Sequence, residues 1–247
     1  MACTNSTQFT TCKDDGTPGM PTSCTNQACV GSACTGMYLP GTQKCADPNL
    51  QQPQVCGSNG QYGNDGSACS STWSTICRVV GGDAQCVSNP PYSVGKTTQL
   101  SQTQSVAAGQ IVGNAITLTE KVALVKFGVW LPQAVAGCRL RLSVYSDNAG
   151  SPGAPVAYSA ELIGLTVGNQ QLDPEGGQSF LNAGTYWLMA HYGCATIMYD
   201  FDDNAQPDLK YQTVAYVNGA APPSALPAIM TLSTYAVNNY LSIRTIN

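Results

Sequence analysis

The sequence predicts an all-β protein: a disulfide-rich N-terminal region with little regular structure, then an antiparallel, jelly-roll-like β-sandwich. Three observations predict it. Ten of the twelve cysteines fall between Cys3 and Cys86. From Gln110 onward, apolar residues recur with period two, and no stretch carries a convincing helical period. Clusters of Gly, Pro, Asn, Asp and Ser separate the alternating runs, as they do in sandwiches and barrels.

Residues 1–88 are poor in Leu, Ile, Val and Phe, so burial alone cannot hold them. Cross-links or metal must do so. Metal knuckles need paired CxxC or Cys/His spacing; no CxxC occurs, and the single histidine, His191, lies far from the cluster. Disulfides are therefore expected, with Cys3, Cys12, Cys24, Cys29, Cys34, Cys45, Cys56, Cys69, Cys77 and Cys86 paired among themselves. Ten cysteines allow hundreds of connectivities, and the sequence does not choose one.

The region reads as two approximate repeats, 1–36 and 40–88. Gaps between successive cysteines are 8, 11, 4 and 4 in the first, and 10, 12, 7 and 8 in the second. A Gly-rich turn precedes the third cysteine of each, at Asp14–Cys24 and Ser58–Cys69. Each repeat holds five cysteines, so full internal pairing requires a bridge between the repeats.

The stretches SCTNQACVGSACTG (Ser23–Gly36), PGTQKC (Pro40–Cys45) and QVCGSNGQYG (Gln54–Gly63) carry a resemblance. The region resembles the cysteine-rich repeats of secreted and surface proteins of myxobacteria and related deltaproteobacteria. Those repeats read CTG-x-C-x-PG-x-x-x-C, and here Tyr38 stands where an extra cysteine would be. The resemblance implies an extracellular stalk or spacer.

Residues 89–96 (Asn89–Lys96) read as a linker, because Pro90 and Pro91 cannot join a sheet ladder. Residues 97–247 form the sandwich. Strands are expected at Gln110–Thr119, Val122–Leu131, Cys138–Tyr145, Val156–Leu165 and Gln178–Leu181. More follow at Thr185–Tyr192, Thr196–Phe201, Leu209–Val217 and Tyr240–Ile246. In Val122–Leu131, Ala123, Val125, Phe127, Val129 and Leu131 mark one buried face. In Cys138–Tyr145, Leu140, Leu142 and Val144 do so, with Arg139, Arg141 and Ser143 opposite. Thr185–Tyr192 and Thr196–Phe201 read as a hairpin around Gly193, and Cys138 and Cys194 as a disulfide tying two strands. The Pro-rich stretch Gly219–Tyr235 reads as one long loop, of a length that is usually functional or mobile.

The segments KFGVW, RLSVYSDNAGSPGAPVA, LNAGTYWLMAHYG and NNYLSIRTIN keep their order in a second resemblance. They are similar to exported β-sandwich domains of bacterial surface proteins, frequently fused to Cys-rich repeats. This implies a jelly-roll-like accessory or binding module, similar in plan to carbohydrate-binding modules, and no reaction.

Candidate chemistry is sparse. Asp200, Asp202, Asp203, Asn204 and Asp208 gather oxygens at a strand end, the donor type that Ca²⁺ takes, although the spacing fits no EF-hand. Asp147 and Asn148, in the YSDNAGSPG turn, add oxygens if the loops meet; turn chemistry accounts for them equally. Among Trp130, Tyr145, Trp187, Tyr199, Tyr211, Tyr216, Tyr235 and Tyr240, most serve packing. Trp130 and Tyr216 fall out of phase with their apolar neighbours and, with Asp147 and Asn148, are the ligand-binding candidates. By strand parity, His191 shares a face with Trp187 and Met189. With no GxSxG elbow, it reads as a core or surface histidine rather than a triad member. Glu161, Asp173 and Glu175 are the acids that a glycosidase reading would nominate.

Net charge is −4 with only 10% charged residues and no basic patch, which argues against nucleic acid and anionic lipid as partners. No apolar run is long enough for a membrane-spanning helix. The chain opens on the polar MACTNSTQFTTC, while the cysteines point to an extracellular or cell-surface location, so a secretion signal is expected ahead of this sequence. The expected function is non-catalytic: a stapled stalk presenting a sandwich that binds a glycan or another cell-surface component. The alternative is a structural subunit that assembles with copies of itself. A hydrolase ranks last.

Overall fold

The structure, a computed structural model, describes the chain except residues 1, 12, 14–16, 32, 47–50, 203–208, 227–229, 233–234 and 247; for 199–202, 232 and 235 it describes the backbone alone. Every regular element among the described residues is a strand. The chain divides into two compact units, Met1–Pro90 and Pro91–Thr245.

The first unit is a set of short hairpins. In the first repeat, β1 (Ala2–Asn5), β2 (Gln8–Thr10) and β3 (Thr22–Ser23) form one small sheet, and β4 (Cys29–Val30) pairs with β5 (Ala33–Cys34). In the second, β6 (Gln43–Cys45), β7 (Pro53–Cys56) and β8 (Tyr62–Asn64) form a sheet, and β9 (Thr75–Val80) pairs with β10 (Asp83–Ser88).

The bridges show the duplication. Cys3 bonds Cys29 and Cys24 bonds Cys34; Cys45 bonds Cys77 and Cys69 bonds Cys86. In both repeats the first cysteine takes the fourth and the third takes the fifth. The second is left over in each: Cys12 lies outside the described residues, and Cys56 is buried and forms no bridge among them. The repeats pack at Ala28, Gly36 and Gly60, where a Cβ on Gly60 would collide with the Gly36 backbone. Tyr38 lies 4.7 Å ring to ring from Tyr62.

In the second unit, β11 (Tyr92–Gly95) comes first. It pairs with the last strand, so half of the predicted linker is sheet. The sequence-order list continues with β12 (Gln102–Val106), β13 (Gln110–Leu118), β14 (Val122–Leu131), β15 (Val135–Asp147) and β16 (Pro152–Ser159). Then come β17 (Leu162–Leu165), β18 (Gly168–Leu172), β19 (Pro174–Gly177), β20 (Phe180–Leu181) and β21 (Gly184–Tyr192). Last are β22 (Thr196–Asp202), β23 (Leu209–Thr213), β24 (Met230–Leu232), β25 (Tyr235–Val237) and β26 (Asn239–Thr245).

One sheet runs β19-β16-β15-β21-β13-β23-β24, with β17 alongside β15. The opposing layer contains β11-β26-β14-β18 with β20, and β12-β22-β25. Phe127, Leu131, Leu140, Leu142, Leu188, Leu241 and Ile243 fill the core between the layers, each 0–1% exposed. Each such side chain contributes about 1.5–3 kcal/mol by burial. The result is the antiparallel all-β sandwich that the alternation predicted.

Three local readings need correction. The face of β14 changes part-way: Val122 and Leu124 pack on the core, then Phe127, Val129 and Leu131 do. Leu124 pairs with Ile243 and Lys126 with Ser242, so Val125 is the extra residue of a bulge, and a bulge reverses the alternation. The hairpin around Gly193 does not form. β21 pairs with β13 and β15, whereas β22 pairs with β12 and β25. The Gly193 amide donates to Arg139 O at 2.7 Å and Cys194 bonds Cys138, so the chain is held at β15 before it crosses to the other layer. Finally, β15 is buried on both faces: Arg141, Ser143 and Tyr145 are 3%, 0% and 0% exposed.

Candidate functional site

The second buried face of β15 leads to the site. Arg141 pairs with His191 of β21, Ser143 with Met189, and Tyr145 with Trp187. These side chains lie on the outer face of the large sheet, as parity predicted for His191, Trp187 and Met189. Tyr145, Trp187, Met189 and Ile111 form a second apolar cluster, against which Val214 and Leu226 pack. The Pro-rich segment thus covers this face.

Five hydrogen bonds pin that segment and the residues leading into it. Val214 N donates to Gly109 O at 2.8 Å, and His191 Nε2 meets Val214 O at 3.0 Å. A carbonyl can only accept, so Nε2 carries the proton. Tyr145 OH donates to Pro223 O at 3.2 Å. Tyr216 OH donates to Glu161 Oε1 at 3.0 Å, beside the Gly219 amide at the same distance and on the same oxygen. Under it lies a cleft of about 220 Å³, lined by Arg141, His191, Val214, Tyr216, Val217 and Pro222 among others. The His191 and Tyr216 rings sit 4.7 Å apart and tilted by 59°.

Glu161 reaches this site because the expected strand Val156–Leu165 is broken. β16 stops at Ser159, Ala160 N turns to Asp173 O at 2.7 Å, and β17 resumes at Leu162. Glu161 forms an ion pair with Arg139, and Glu175 one with Arg141. Asp173 pairs with Lys126. All three acids that a glycosidase reading would nominate are thus tied to a base. Arg141 also donates from Nη1 to Ser159 O at 2.6 Å and lies 5.2 Å from the Tyr158 ring centre. Its Nε is buried and has no hydrogen-bond partner among the described residues; neither does Ser143 Oγ two residues on.

Burial would raise the Glu161 carboxyl, but the Gly219 amide, the Tyr216 hydroxyl and Arg139 outweigh it and hold it below its ordinary range. Burial, with Glu161 adding to it, pushes the Tyr216 phenol far up. Burial also holds the His191 imidazole below its usual value, against the pull of Val214 and Gly109. The cleft therefore presents a neutral imidazole, a neutral phenol and paired charges at pH 7.

A buried neutral histidine has a stability signature. Above the unfolded value of 6.5, both states are unprotonated and nothing is lost. Below it, the unfolded chain takes up a proton that the folded chain resists, so stability falls as pH drops. Denaturant titrations at about pH 7.5 and about pH 5.5 should show this loss, and His191→Gln should flatten it. Glu161 is depressed from 4.5, so its own loss begins only below that pH and does not overlap the window. An unchanged slope in His191→Gln assigns the loss elsewhere.

The structure brings one of the four ligand-binding candidates, Tyr216, into this cleft. Trp130 is on β14 in the other layer, half-buried, with its indole N–H donated to Thr97 O at 2.8 Å. Asp147 and Asn148 do turn work: Asp147 accepts from Trp187 Nε1 at 2.7 Å and from the Gly150 amide, and Asn148 N donates to Ser151 O. Of the Ca²⁺ candidates, Asp203, Asn204 and Asp208 lie outside the described residues, and only the backbones of Asp200 and Asp202 are described, on β22. Among the described residues no group of three metal-ligating acids, cysteines or histidines assembles. Arg141 is absent from the sequence candidates, and Glu161 enters there only under the glycosidase reading. Their available signal is the complementary charge of Arg139/Arg141 and Glu161/Glu175.

A scan against protein-family models matches none of them. A search of curated proteins likewise finds no significant match. Among the described residues there are five disulfides and no helix long and apolar enough to cross a membrane, which fits an extracellular protein.

Proposed function

We propose that this is an exported, non-catalytic binding protein whose sandwich takes a neutral glycan in the His191–Tyr216 cleft, with the stapled unit serving as its stalk. One observation carries the reading: the cleft joins two ring systems and a buried guanidinium N–H that has no partner among the described residues, and its described charges are paired. Sugars offer a hydroxyl acceptor to such a donor and a C–H face to such rings, and they bring no charge that would need a counter-ion. The paired carboxylates oppose a hydrolase, which needs one acid protonated and one free. The resemblance of both regions to exported bacterial surface proteins points the same way.

A broad glycan array tests this. The native protein should retain neutral oligosaccharides over sulfated or sialylated ones. Tyr216→Ala should weaken retention about tenfold or more, as expected for loss of one stacking ring and its hydrogen bond. Silence across the array, or equal retention by Tyr216→Ala, overturns the reading.

A further inference from the structure

A second cavity, about 270 Å³, opens within the sandwich, and none of its lining residues belongs to the His191–Tyr216 cleft. Val94, Ile116, Leu188 and Val237 give it apolar walls. Three polar residues interrupt them, Asn114, Asn239 and Lys96.

Asn239 is 4% exposed. It precedes Leu241 and Ile243 on β26 by two and four positions, and both of those are core residues, so parity turns its side chain inward. Its Nδ2 has no hydrogen-bond partner among the described residues. Buried amide donors are rarely left in this state, because desolvation is then uncompensated. The neighbouring asparagines are engaged: Asn114 Oδ1 accepts from Val237 N at 2.8 Å, and Asn238 grips the rim, donating to Lys96 O and Thr98 O and accepting from Leu100 N. The opening is therefore pre-formed. Lys96 stands on that gripped rim, and its ammonium forms no ion pair or hydrogen bond among the described residues.

We propose that this cavity binds a small carboxylate with an apolar body, of the short- to medium-chain fatty acid type. The chain lies against Ile116, Leu188 and Val237. One carboxylate oxygen accepts from Asn239 Nδ2, and the Lys96 ammonium pairs with the head group. The volume sits at the small end of ligand pockets, which sets the short length. The orphan donor and the unpaired cation need the same thing, an anionic acceptor, and the walls need a hydrocarbon.

The test is an NMR titration of the full oxidised chain, labelled with ¹⁵N, with octanoate below its aggregation limit and octanol as the uncharged control. Octanoate should saturate one site, shifting amides at Val94, Ile116 and Val237. Octanol should bind at least about tenfold more weakly, and Lys96→Met should lose about the same factor. Shifts confined to Tyr216 and its neighbours overturn the proposal, as do no saturable shifts, or octanol matching octanoate. The octanol comparison needs no variant, so a poorly folded Lys96→Met leaves the test intact. Failure here does not touch the glycan reading, whose array result depends on Tyr216 alone.

Discussion

Reductant is expected to unfold Met1–Pro90 while the sandwich stays folded. The apolar cluster of the first unit consists of Cys69, Cys77 and Ala84, with Cys45 packed against it. Three of these four are bridge sulfurs and the fourth is an alanine, so the cross-links are themselves the core. Bridges in the unit close loops of 26, 10, 32 and 17 residues' separation. Bridges of that size contribute about 2–4 kcal/mol each, and four together match or exceed the roughly 5–15 kcal/mol by which a whole domain is stable. The second unit has a single bridge, Cys138–Cys194, and a core of large aliphatic and aromatic side chains. Its loss costs about 2–5 kcal/mol, which such a core can absorb. Limited proteolysis with and without reductant, read by mass spectrometry, should place every new cleavage before Pro91. Cleavage spread evenly over both units, or none at all, would sink the argument.

Much of this fold is legible in the residues, and the failures have physical causes. Leu140, Leu142 and Val144 alternate with polar residues and do face the core. The opposite face of the same strand reads as solvent-facing because Arg141 and Ser143 are polar, yet both are buried. The cover is Val214–Leu226, an aperiodic Pro-rich stretch whose destination no local pattern encodes. Long-range cover is invisible to periodicity, and so Arg141 was invisible as a site residue. For His191, parity gives the shared face with Trp187 and Met189 but leaves open whether that face is core or surface. Glu161 was hidden because a strand that looked continuous breaks at Ala160, where an amide is captured by Asp173. The bulge at Val125 has no Gly or Pro to announce it. Bridge connectivity is combinatorial from one sequence, whereas the repeat it obeys was readable from the cysteine gaps.

The sharpest sign reversal is expected at Gly128. It sits mid-strand in β14, opposite Tyr240 of β26, and a glycine there weakens a strand unless its bareness is used. Here it is used: a Cβ at Gly128 would run into the Tyr240 ring. Tyr240 is only 3% exposed, although its neighbours Leu241 and Asn239 take the core side and leave it on the outer face. It is buried by lying across Gly128, with its hydroxyl donating to Asn169 Oδ1 at 2.8 Å and accepting from Gln171 Nε2 at 3.1 Å. This is an aromatic ring shielding a bare strand position. Tyr240→Ala should cost about 3–5 kcal/mol, roughly 6–20 °C in Tm for a unit of this size. Gly128→Ala should cost about 1–3 kcal/mol while the ring is present, because the methyl displaces it. In the Tyr240→Ala background the methyl no longer meets the ring and still restricts the unfolded chain, so Gly128→Ala should stabilise by about 0.5–1 kcal/mol. Denaturant melts of the four proteins in this cycle read the coupling directly. If Gly128→Ala destabilises equally in both backgrounds, the glycine is required by the backbone and the ring is incidental.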